Sequence, residues 1–163
     1  MSELDDIFRE FALSFIGRIK VEQEVAFPDL LPRQLLKGTL ASLKYVDSYL
    51  NEVHSRRGGL AEPEWHTTVL WGGAYVGEVI RHETKKAYRW VDYDEYMPAH
   101  PDLMPMIPER TTATCAFLVL GESSMSMPLN KIARYIAEGE THSTHYFASL
   151  DIRRAQEHAK QSG

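Results

Sequence analysis

The chain has 163 residues, 44% of them hydrophobic and 25% charged, with a net charge of −5 at pH 7. That length suits one domain spanning 1–163, and a domain of this size buries roughly 70% of the surface its unfolded chain exposes, so one ordinary core suffices. The balance argues against disorder, and Cys115 as the only cysteine excludes both an intramolecular disulfide and a CxxC metal site.

The acidic start, Met1-Ser-Glu-Leu-Asp-Asp6, lacks the positive and apolar regions of a secretory signal, and a cytoplasmic location is expected. No apolar run is long enough to span a membrane. The basic pairs Arg56-Arg57, Lys85-Lys86 and Arg153-Arg154 are dispersed. Displacing counterions from nucleic acid needs clustered cations, so neither nucleic acid nor an anionic membrane is an expected partner.

In chain order, Leu4, Ile7, Phe8, Phe11, Phe15 and Ile19 recur at helical spacing and predict a helix over 3–19, capped by Ser2. Residues 21–32, with Pro28 and Pro32, break regularity. A second helix is predicted over 33–55 from the stripe Leu36, Leu40, Leu43, Val46, Leu50 and Val53, ending at Gly58-Gly59. A third follows Pro63 and runs to about Arg81. The period then changes. Residues 87–91 alternate as a strand, 112–120 read as a second strand, and four of the eight prolines make 97–108 an irregular loop. Residues 128–138 return to helix, closed by Gly139. A last helix covers 143 to about 158, with Tyr146, Phe147, Leu150 and Ala155 inward and a frayed polar tail at about 159–163. Helices followed by two or three strands and then helices predict an α+β fold, with a small antiparallel sheet that helices must cover.

The segment Trp71-Gly-Gly-Ala-Tyr-Val-Gly-Glu-Val-Ile80 places three glycines within six helical positions, each costing roughly 1 kcal/mol against alanine. Gly73 and Gly77 share a face, and the expected reason is close approach of another element. A phosphate cradle is disfavoured because Glu78 follows the last glycine. Glu78 itself is expected to be a structural carboxylate paired with Arg81, Arg89 or the Trp90 indole N–H. An alternative groups Glu78, His82, His142 and His145 as metal ligands in a small metal-dependent enzyme, although no HExxH is present. Ser123, Ser124 and Ser126 lack the G-x-S-x-G elbow of a nucleophilic serine.

Two features suit binding. Trp90-Val-Asp-Tyr-Asp-Glu-Tyr96 interleaves aromatics with acids, so Asp92, Asp94 and Glu95 beside Tyr93 and Tyr96 form a candidate surface for a basic partner. Five of the six methionines lie between 97 and 127, and Met104 and Met106 join that candidate surface as adaptable contacts.

Gly73-Ala-Tyr-Val-Gly-Glu-Val-Ile80, Trp90 and Pro128-Leu-Asn-Lys-Ile-Ala-Arg-Tyr-Ile-Ala-Glu-Gly139 resemble a group of small bacterial proteins of unknown function. These share a helical G-x-Y-x-G-E-V segment, a tryptophan-bearing strand and a late helix, and the resemblance covers roughly residues 40–150. The resemblance carries no activity and no established catalytic residues to transfer; separately, no cofactor is expected. Small acidic proteins of this general kind include immunity proteins of bacterial toxins. The absence of a catalytic constellation, the acidic balance and the acidic–aromatic segment at 90–96 lead to the expectation of a non-enzymatic binding protein, an immunity or adaptor protein that masks a basic partner, with a structural homodimer as a further alternative.

Overall fold

The computed structural model describes residues 2–122 and 124–162 and has an α+β architecture. Helix α1 (Glu3–Phe15) opens with a reciprocal capping box: the Asp5 N–H donates to Ser2 Oγ while the Ser2 N–H donates to the Asp5 carboxylate. The helix stops at Phe15 rather than 19 because Gly17 turns left-handed at φ +81° and the Arg18 N–H donates back to the Leu13 carbonyl.

The predicted helix over 33–55 is α-helical only from Leu43. Residues Arg33–Leu35 and Leu40–Ser42 form single 3-10 turns, and helix α2 is Leu43–Ser55. The apolar spacing of the earlier leucines is real, but Gly38 sits at φ +80° and the Ser42 hydroxyl donates to the Thr39 carbonyl. Such local hydroxyl-to-backbone bonds compete with helix propagation. Helix α3 (Glu62–Glu83) carries Pro63 in its first turn, where no N–H is needed, and is almost wholly buried from Thr67 to Arg81.

Strand β1 (Tyr88–Asp92) is followed by a one-turn helix α4 (Tyr93–Tyr96), with the Asp92 side chain accepting the Asp94 N–H. Strand β2 is Ala116–Leu120 and β3 is Ser124–Ser126; β1, β2 and β3 are antiparallel neighbours in that order. The predicted strand over 112–120 begins late. Thr114 Oγ1 accepts from the Thr111 N–H and donates to the Glu109 carbonyl, which folds those residues into a turn. Helices α5 (Pro128–Glu138) and α6 (Thr144–Ser162) complete the chain. Helix α6 runs through Ser162, past the end expected at about 158; Gly163 lies outside the described residues, as does Ser123. Its inward face is Thr144, Ala148, Asp151 and Ala155, and Tyr146 points to solvent.

Alternation along the sheet divides its side chains between two cores. Tyr88, Trp90, Leu118 and Leu120 face the main core built by α1, α2, α3, α5 and α6. Val91, Phe117 and Val119 face the other way, and the stretch expected to be a plain loop covers them. Tyr93, Tyr96, Met97 and Ile107 pack there as a second, smaller core, with Met125 and Met127 at its margin. The sheet is therefore covered by helices on one face and, apart from the exposed Arg89, by the proline- and methionine-rich segment on the other. Among the described residues, no helix is long and apolar enough to cross a membrane.

Candidate functional site

The glycine face of α3 admits two neighbours. A Cβ on Gly73 would lie 2.3 Å from Leu129 Cδ2 and 2.8 Å from Leu129 Cα, so α5 runs against bare backbone. A Cβ on Gly77 would lie 2.2 Å from Trp90 Cζ2. The Trp90 ring is also stacked on Phe8, at 4.1 Å between centroids. The glycine segment, the tryptophan strand and the late helix thus meet in space.

Beside this contact lies a chain of buried charges. Glu78 accepts the Trp90 indole N–H at 2.9 Å, and Arg81 Nη1 donates to both Glu78 oxygens at 3.2 Å. Arg81 Nη2 is 3.5 Å from the Asp5 carboxylate, which also accepts the Trp90 backbone N–H, and Arg81 Nε donates to the Tyr88 carbonyl. One guanidinium therefore sits between two carboxylates and ties α1, α3 and β1 together. Asp5 is the member that sequence reading missed; its only signal there is its place in the capping box.

The alternative metal set does not assemble. His82 lines a cleft with Glu78, whereas His142 lies in the α5–α6 connection and His145 in the first turn of α6. His142 Nε2 lies 2.6 Å from Glu138, and its Nδ1 lies 3.3 Å from Lys131 Nζ. The His145 backbone N–H donates to Asp47. No group of three or more His, Cys, Asp or Glu side chains among the described residues is placed to hold a metal ion. Asp47, on α2, had no local signal in the sequence, since its partners are about a hundred positions away. It caps α6 by accepting from Ser143 Oγ, Thr144 Oγ1 and the Thr144 N–H, at 2.6–2.8 Å.

Asp151, on α6, is buried, accepts the Ser126 hydroxyl, and receives Arg154 Nη1 at 2.8 Å. Burial outweighs these partners and pushes its carboxyl above the ordinary range. A raised folded-state pKa favours folding fully below the unfolded value of about 3.9, and that contribution is lost as pH rises through the folded pKa. Asp151→Asn should therefore gain stability relative to wild type as the pH climbs from acid to neutral. Urea midpoints across that range check it, and a difference that stays flat or moves the other way contradicts it.

The acidic–aromatic surface needs correction. Tyr93 and Tyr96 are 8% and 5% exposed, because they are anchors of the second core and not surface contacts. The Tyr93 hydroxyl donates to the Ile107 carbonyl, and the Tyr96 ring stacks on His100 at 3.9 Å. Asp92 is half-buried and takes Arg110 at 2.9 Å. What remains at the surface is Asp94, Glu95, Asp102 and Glu109, together with Met104 at 41% and Met106 at 78% exposure. Beside Met106 runs a groove of about 500 Å³ whose apolar lining includes Leu103, Ile107, Met125 and Met127, with Arg134 at one side.

Comparison with protein-family profiles, curated proteins and solved structures gave no match to this chain.

Proposed function

We propose that this is a non-enzymatic binding protein of the bacterial cytoplasm, in the manner of an immunity or adaptor protein. It docks a basic protein partner on the segment 92–109. One observation carries the reading: among the described residues Met106 is the most exposed of the large apolar side chains, and it sits in a segment with five carboxylates and no lysine or arginine. Arg110, the first cation beyond it, turns back onto Asp92 and Asp94, which leaves Glu95, Asp102 and Glu109 without an ion pair among the described residues. An apolar contact on a segment whose own charges are all negative suits a basic partner, with the charges steering encounter and the methionines adapting to shape. The segment is held by the Tyr93 and Tyr96 contacts beneath it, so little order has to be imposed on binding. Asp47 and Asp151, carboxylates elsewhere, are committed to partners within the fold.

Affinity capture from a host lysate tests the reading with three baits: wild type, Asp94→Lys/Glu95→Lys/Glu109→Lys, and Met106→Asp. The expected result is one near-stoichiometric basic protein on wild type that raised salt releases and that both variants fail to retain. A partner held equally by all three baits, or no stoichiometric partner, overturns the proposal.

A further inference from the structure

A cleft of about 270 Å³ lies between α1, α3 and the turn at Lys37–Gly38, away from the segment assigned to partner docking. Its floor is apolar, made by Ala12, Leu13, Ile16 and Val79, and its opening carries Arg9, Lys37 and His82. The turn is pinned across the cleft by Tyr75. The Gly38 N–H donates to the Tyr75 hydroxyl at 2.9 Å, and Ser42 Oγ lies 2.7 Å from that hydroxyl. Because the Ser42 proton goes to the Thr39 carbonyl, Tyr75 is the donor to Ser42, and its own proton is spent within the fold.

Charge is distributed unevenly along this cleft. Glu78 reaches it from the buried chain in which two carboxylates share the single guanidinium of Arg81, so that chain carries one net negative charge. The three cationic or protonatable groups at the opening make no ion pair among the described residues. A partly buried anion without a full complement of positive charge favours a cation beside it. Exposed cations at the mouth favour an anion.

We infer that this cleft binds a small aliphatic zwitterion: its ammonium meets Glu78, its methylene body lies on the apolar floor, and its carboxylate or phosphate faces Arg9, Lys37 and His82. The volume equals about nine waters at roughly 30 Å³ each, which limits the ligand to a short chain. The Trp90 indole N–H is the natural reporter, since it donates to the carboxylate that the ammonium would meet.

The test uses 6-aminohexanoate, hexanoate and hexylamine, each titrated to about 10 mM, tenfold above a Kd of about 1 mM. The Trp90 indole resonance is followed by ¹H–¹⁵N correlation. The expected result is a saturable shift with 6-aminohexanoate. Hexanoate should bind about tenfold or more weakly, having lost a hydrogen bond to a charged, partly buried group. Hexylamine should lose only a few-fold, since it gives up exposed pairs. Glu78→Gln should abolish the preference for the ammonium. If that variant does not fold, Lys37→Glu, a surface change, should still weaken 6-aminohexanoate about three- to fivefold and leave hexylamine no weaker. Absence of a saturable indole shift, hexanoate binding as well as the zwitterion, or indifference to Lys37→Glu overturns the inference.

Discussion

Gly77→Leu is expected to lose about 3 kcal/mol or more of stability, the upper end of what overpacking costs, while Gly72→Ala, five positions away on the same helix, is expected to lose nothing. The difference lies in what each new atom meets. At Gly77 even a Cβ would stand 2.2 Å from Trp90 Cζ2 and 2.6 Å from Cη2. The indole is held in place, because Phe8 is stacked on one of its faces and its N–H is fixed to Glu78. A leucine adds three further carbons in the same place. At Gly72 the nearest atoms to a new Cβ are in Ile132 and Phe15 at 3.6 Å, an ordinary contact. Gly72→Ala should therefore keep the helix-propensity gain of up to about 1 kcal/mol. Equilibrium urea unfolding of the two variants measures both. Equal midpoints for Gly77→Leu and wild type would mean that the indole does not lie against α3.

The sequence betrayed this contact because the penalty for helical glycine has to be offset by something, and close approach is the usual compensation. The partner of Glu78 was equally accessible to reasoning, since Arg81 is one turn away and a buried carboxylate requires donors. Long-range terms were not accessible. Nothing near Asp47 announces that it will cap a helix beginning at Thr144, nor does the capping box of α1 announce that Asp5 will reach the Trp90 backbone. Hydrophobic spacing also misled wherever hydroxyls redirected the backbone. The leucines before Leu43 keep helical spacing, yet Gly38, Thr39 and Ser42 make tight turns of them. At Tyr93 and Tyr96 composition pointed to a surface. Which side of a sheet stays open depends on what a proline-rich segment does afterwards, and here it folds back and buries both rings. Of the carboxylates of the same segment, Asp92 is half-buried against Arg110 and the other four stay exposed.

Arg81→Met is expected to cost about 3–5 kcal/mol, the range for removing one partner of a buried ion pair. The methylene stem is roughly matched by methionine, so the loss is electrical and not one of packing. Without the guanidinium, Asp5 and Glu78 remain as two like charges in a site where both are largely shielded from water, and the Tyr88 carbonyl loses its donor. The remedy distinguishes this account from a general intolerance of substitution. Glu78→Gln alone breaks a good pair and should destabilise the protein. In the Arg81→Met background the same change removes one of the stranded charges and keeps an acceptor for the Trp90 indole, so it should restore part of the loss. The two effects are then of opposite sign, with a coupling energy in the range of about 0.5–3 kcal/mol expected for contacting groups. A urea double-mutant cycle at neutral pH reads it directly. Simple additivity, or a cost for Arg81→Met below about 1 kcal/mol, would show that water reaches these carboxylates and that α1, α3 and β1 are held together by packing alone.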